Sequence, residues 1–314
     1  MAGQGSAIQT ALSLKRVFGF NKDIVGGVQD LTDQNRKAIF YVSGHTGVIF
    51  DYESRSQRLL QGHGNAISCA AVSKDKQWIV TADAGEDSMC VVWNSYTGTP
   101  VKTIFSPHKG GVGAVDISSD ALYVVTLSHN SSGTKTVGGD DGESYQEPID
   151  PQELSIWEWT VPGDSPLHSA VISSADEQDC VRFHTDDAKQ LVTNGSSRVV
   201  FWSWDEGSLK FFAPPISSKD FQQPVGRFTQ TVYLPDSSRA VTGTVDGDIV
   251  LWDQVYVADQ SVRTTEKRAA KIIRLHNSAI NYLIVYDKFV VSGGADGYVR
   301  FFDFKFRILA WYED

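Results

Sequence analysis

The chain has 314 residues, 41% of them hydrophobic, enough for one large domain or two small ones. Its 38 acidic residues against 28 basic give a formal net charge of −10, which argues against unspecific attachment to nucleic acid or to an anionic membrane surface. No run approaches the roughly 18 apolar residues of a membrane span, and the opening MAGQGSAIQTALSLKR lacks the apolar core and basic flank of a secretion signal. Cys69, Cys90 and Cys180 are widely spaced, sit within strand-like apolar runs and form no CxxC. They read as buried free thiols of a reducing, cytoplasmic compartment.

In chain order, residues 1–11 read as a flexible N-terminus and 12–314 as a single folded domain. Residues 12–20, LSLKRVFGF, look like an outermost strand ahead of the first unit, which ends in IFD (49–51). The second unit reads AISCAAVS, QWIVTADA, SMCVVWN and PVKTIF, with turn residues between. The third has LYVVTLS (122–128) and ELSIWEW (153–159), parted by an insert, 129–152, with five acidic residues and one Lys; this reads as a solvated acidic loop. The fourth ends in FWS (201–203). The fifth carries AVTGTVDGDIVLWD (240–253) followed by a second insert, 254–270. The sixth carries FVVSGGADGYVRFFD (289–303) and closes with RILAWYED, its own outermost strand.

The endings IFD, VWN, IWE, FWS, LWD and FFD lie 43, 64, 45, 50 and 50 residues apart. About 40–45 residues per unit is the spacing of four-stranded propeller blades, and the longer intervals are units with inserted loops. The alternating Val-, Ile- and Trp-rich runs predict an all-β chain of antiparallel four-stranded sheets, six to seven blades in all. Either the ring has six blades and residues 12–20 pack elsewhere, or the strands that would join them in a seventh lie beyond Asp314. Asp246-Gly247 and Asp296-Gly297 fall where a two-residue hairpin needs positive φ.

This recurrence resembles the WD-repeat β-propellers. That family ties a histidine before the first strand, a Ser or Thr of the second, a turn Asp and the Trp of the third into a buried hydrogen-bonded network. The resemblance carries those roles to His63, Thr81, Asp87 and Trp93; to Thr242, Asp246 and Trp252, with no histidine; and to His276, Ser292 and Asp296, with Phe302 in place of Trp. The fourth unit has Ser196 where the Asp is expected. These carboxylates then join strands and do no catalysis. Trp93, Trp157, Trp202 and Trp252 are expected between neighbouring blades.

Three stretches are more specific: YVSGHTGVIFDYESRSQRLLQGH (41–63), QWIVTADAGEDSMCVVWNSYTGTPVKTIF (77–105) and ADGYVRFFDFKFRILAWYED (295–314). They are similar to the amino-terminal propellers of a ciliary WD-repeat family of the calmodulin- and spoke-associated complex, and more widely to tandem-propeller proteins of the echinoderm microtubule-associated-protein-like group. That resemblance covers most of residues 15–314. It implies a non-catalytic scaffold of the motile cilium or flagellum axoneme, near the base of a radial spoke. It also implies that the chain is the first half of a longer protein, with proteins of an axonemal complex as partners.

The search for chemistry is nearly empty. No G-x-x-x-x-G-K-[ST], G-x-S-x-G, H-E-x-x-H or sialidase-type Asp-box occurs, and the seven histidines show no ligand spacing, so no catalytic residue, metal or cofactor is assigned. Gly110-Gly-Val-Gly113 opens a strand and so offers no helix N-terminus to a phosphate. Asp140-Asp-Gly-Glu143 lacks the alternation and final Glu of a calcium loop. The competing readings are an adaptor of another cytosolic complex and a propeller enzyme. For partners, the acidic insert offers Asp140, Asp141, Glu143 and Tyr145 on one face of the ring, and the second insert offers Arg263, Lys267 and Arg268 on the other. The acidic face would repel a microtubule, so docking is expected through a neighbouring protein.

Overall fold

The computed structural model describes residues 13–129, 134–138, 144–148, 151–172, 176–205, 207–216, 221, 224–258 and 263–313. Its regular structure is a β-propeller of six four-stranded antiparallel sheets, each taken from one stretch of chain with its strands side by side in chain order, and a two-stranded hairpin inserted in the third. They span residues 28–60, 67–105, 112–172, 178–212, 228–274 and 280–313, called sheets 1 to 6. A strand alternates its side chains between two sides, and in sheets 2 to 5 each side meets a neighbouring sheet, so both sides are apolar. The third strand of sheet 2, Met89–Asn94, is buried from Cys90 through Trp93.

Five shared apolar clusters hold successive sheets together. Trp93 packs with Phe40, Ile49 and Leu60 of sheet 1. Trp157 packs with Val92 and Ile104 of sheet 2, and Trp202 with Leu154 and Ile156 of sheet 3. Trp252 lies against Phe201 and Val192 of sheet 4, and Phe302 clusters with Val241 and Ile249 of sheet 5. The side carrying the aromatic therefore always faces the preceding sheet. The four tryptophans are 3%, 6%, 4% and 0% exposed, as the sequence predicts.

The two inserts differ from expectation in form. The described part of 129–152 is a hairpin, Thr134–Gly138 paired with Ser144–Pro148. The described residues of 254–270 are no loop: they prolong the last two strands of sheet 5 into Asp248–Ala258 and Arg263–Arg274. Both segments alternate polar with Val, Tyr or Thr residues, and a hairpin satisfies their backbone groups where a loop leaves that to water. Residues 13–20 form no strand; instead Gln57 brackets Val17, accepting its N–H at 2.8 Å and donating to its carbonyl at 2.9 Å. Gly247 and Gly297 have φ of +90° and +83°, the left-handed values that the Asp-Gly turns require.

Candidate functional site

At the heart of five sheets stands a buried hydroxyl in the second strand. Thr81, Thr126, Thr193 and Thr242 each accept the indole N–H of the same sheet's tryptophan, at 2.8, 2.9, 3.0 and 2.8 Å. The hydroxyl's other partner varies from sheet to sheet. His63 and His108 present Nε2 at 2.7 and 2.8 Å, with the other ring nitrogen 3.1 Å from Asp83 and 3.4 Å from Glu153. In sheet 4 Thr193 donates to Gln178 Oε1 at 2.9 Å, and in sheet 5 Thr242 meets Thr231 at 2.7 Å. Sheet 6 keeps His276 between Ser292 (2.7 Å) and Asp296 (2.8 Å), and Phe302 takes the tryptophan's place without an N–H.

Burial lowers the pKa of His63 and His108 despite their carboxylate neighbours, so both rings sit neutral in the fold. Asp296 has the opposite fate. Burial works against its charge, but the Asn277 N–H, the His276 ring and Arg300 outweigh it and hold the carboxyl far below its ordinary value of 3.8.

Two predicted carboxylates change. Asp87 is exposed, in a left-handed turn position with φ +53°. Its role falls to Asp83, fully buried at the end of the second strand, which accepts the N–H groups of Met89 and Asn65. The two extra turn residues carry Asp87 out of reach of His63. Asp246 is exposed too, and its carboxylate has no hydrogen-bond partner among the described residues; the Thr244 hydroxyl accepts the Asp248 N–H instead. Where Ser196 replaces the turn Asp, Asp176 reaches in from the preceding connection and accepts the Ser196 hydroxyl and the Ser197 and Arg198 N–H groups.

A second set of polar contacts ties sheet to sheet around the channel. Gln29 donates to Ala70 O, Ser68 to Val112 O, Gln152 to Gln178 O, Asn194 to Thr229 O, and the Leu283 N–H donates to Gln230. Asp116 accepts the Phe183 N–H at 2.7 Å; burial pushes its carboxyl up, with the nearby Arg182 opposing. Gly111 bridges sheets 2 and 3, and a Cβ there would stand 2.4 Å from the Ala84 backbone.

The predicted partner residues do not come together. Asp140, Asp141 and Glu143 lie outside the described residues; Tyr145 stands opposite Val137 in the inserted hairpin. Arg263 begins the last strand of sheet 5 opposite Ala258. Lys267 is not the free surface cation expected of it. Its ammonium lies 4.3 Å from the Phe201 ring centroid and 5.1 Å from that of Tyr233, donates to Ser238 O at 2.5 Å, and is brought down to about 8 by burial, with Asp253 opposing. Arg268, next along the strand and so on its other side, is exposed and pairs with Glu266 at 2.9 Å. Among the described residues no cluster of three or more His, Cys, Asp or Glu could hold a metal ion.

The CFAP251 N-terminal domain family matches residues 12–314. Cilia- and flagella-associated protein 251 of Chlamydomonas reinhardtii is 40% identical over 321 residues, 98% of this chain and 38% of that protein. The protein of the same name from Tetrahymena thermophila is 41% identical over 322 residues, 97% of this chain and 30% of its own length. Echinoderm microtubule-associated protein-like 4 of Homo sapiens is 28% identical over 257 residues, 78% of this chain and 23% of that protein. The chain thus spans well under half the length of these relatives. With a match that takes in all six sheets, it belongs to the CFAP251 N-terminal domain family.

Proposed function

We propose that this domain is a non-catalytic protein-interaction scaffold of the cilium or flagellum, working in the axoneme within the calmodulin- and spoke-associated complex at the base of a radial spoke. The observation that carries the reading is the match to cilia- and flagella-associated protein 251 across nearly the whole chain. The disposition of the buried polar groups supports it: His63, His108, His276, Asp83 and Asp296 are engaged in joining strands, and Asn194 and Gln152 in joining sheets. A rigid ring of this kind presents its connections as recognition surface. The acidic insert between the second and third strands of sheet 3 is the surface offered to a basic partner, whose association weakens with salt.

The experiment is a tagged full-length protein in ciliated cells, compared with a version in which residues 131–147 are replaced by a short Gly-Ser bridge. The expected result is ciliary localisation of the first, with the second folded and no longer incorporated. A tagged protein absent from cilia overturns the ciliary reading; normal incorporation of the shortened form at every salt concentration overturns the role of the insert.

A further inference from the structure

Five of the six seams between neighbouring sheets are built alike, with a shared apolar cluster and a side-chain hydrogen bond to the neighbour's backbone. Between sheet 6 and sheet 1 the described residues give neither. Among the described residues the two sheets approach near the channel, where Tyr286 Oη is 3.5 Å from Asp30 and a Cβ on Gly26 would stand 3.5 Å from the Tyr282 ring.

Both walls of this seam are finished as interior. In the third strand, the residue three before the recurring aromatic faces the next sheet: Cys90, Leu154, Val199 and Ile249 are 0%, 0%, 2% and 0% exposed. Its counterpart in sheet 6, Val299, is 41% exposed. On the same side Phe289, Phe301 and Tyr312 run as a ladder of edge-to-face rings at 6.1 and 5.8 Å, and Tyr312 is 67% exposed. An apolar sheet face of this extent left in water marks a place where something packs. The opposite wall is the side of sheet 1 that carries Tyr41 and Gln57, over which residues 13–20 run. Leu14, Phe18 and Phe20 in that run are 53%, 84% and 60% exposed and share one parity, which Arg16 interrupts, so an extended run would turn all three to one side.

We propose that this seam receives a further antiparallel sheet, apolar on both sides, with residues 13–20 as its outermost strand and its inner strands drawn from polypeptide outside the matched span in the longer members of the family. A two-sided sheet fits because apolar side chains stand exposed on both sides of the seam, Val299 and Tyr312 on sheet 6 and Leu14, Phe18 and Phe20 on the run over sheet 1. A second copy laid on sheet 6 would cover Val299 and Tyr312 and leave Phe18 and Phe20 in water. The relatives carry the material: the match takes up 38% and 30% of their lengths.

Hydrogen exchange followed by mass spectrometry tests this on the 314-residue chain and on the full-length Chlamydomonas relative. The expected result is exchange about tenfold slower or more in the full-length protein, at the counterparts of Ile308–Glu313 and of residues 13–20, since amides open in proportion to local stability. Equal exchange in the two proteins overturns the proposal. A second arm places Val299→Asp and Tyr312→Asp in the 314-residue chain, expected to remain monomeric with an unchanged melting temperature. A concentration-dependent dimer that these substitutions dissolve would make a second copy the occupant and equally overturn it.

Discussion

At the scale of single residues, a hydroxyl with one indole on it is the unit to perturb. Trp252 is fully buried and bonded to Thr242, and Trp252→Ala is expected to cost about 3–5 kcal/mol, read from the midpoint of denaturant unfolding. Thr242→Val keeps the shape but strands the indole N–H and the Thr231 hydroxyl, for about 1–3 kcal/mol. The two Asp-Gly turns look identical in sequence and should respond differently. Asp296→Ala removes the acceptor of Asn277, His276 and Arg300 and should destabilise clearly, whereas exposed Asp246→Ala should stay within about 0.5 kcal/mol. Equal losses at both positions would refute the distinction. The family resemblance made the Thr81–Trp93 and Thr242–Trp252 pairs and the sheet 6 joint legible, whereas Thr126 and Thr193 were not picked out. Asp83, Gln178 and Thr231 were hidden because the slot facing the hydroxyl is set by register: Thr231 reaches Thr242 only as its cross-strand neighbour. Any side chain with a lone pair at that point will serve.

At the scale of elements, the recurring strand endings gave away the sheets because the third strands of sheets 2 to 5 are buried on both sides, so their apolar runs end together with the strand. The hairpins in the inserts were not legible, since exposed strands pair through backbone groups that leave little mark on composition. Lys267 belongs to this level: it clamps the prolonged hairpin of sheet 5 onto Phe201 of sheet 4. Lys267→Ala is expected to cost about 1–2 kcal/mol, with Lys267→Met recovering most of it because the stem still covers the rings. A melting temperature identical in all three proteins would rule the clamp out. The cysteines are strand residues too. Burial pushes the thiol of Cys69 up to about 12 and raises Cys90 and Cys180 likewise, so a thiol reagent should find none in the native protein and three after denaturation without reductant. A count of one would reveal a bridge.

At the scale of the whole molecule, acid should unpick the ring in two stages. His63 and His108 are held neutral in the fold, while the unfolded chain takes up protons at about 6.5. The unfolded state therefore binds more protons, and stability is lost as pH falls below that value. Asp296 adds a second loss: its contribution is full above its unfolded value of 3.8 and disappears as pH falls from there toward the depressed folded value. Unfolding free energy measured from pH 7, below the titration of Lys267 at about 8, down to pH 3 should slope down from about pH 6.5. Asp179, raised to about 6 by burial, opposes part of the loss. His63→Gln and His108→Gln together should remove most of the upper slope.

The alternation of strand direction within each sheet has a consequence for distance. Connections between second and third strands emerge on one rim of the ring, where the acidic insert sits, and connections between third and fourth strands on the other, where the sheet 5 hairpin ends. Most inner strands are six residues long, so about 20 Å of sheet at roughly 3.3 Å per residue separates the rims. A body held at one rim and another held at the other are thereby kept at a spacing that no side-chain motion can close. The domain is a washer of fixed thickness, and its thickness is written in strand length.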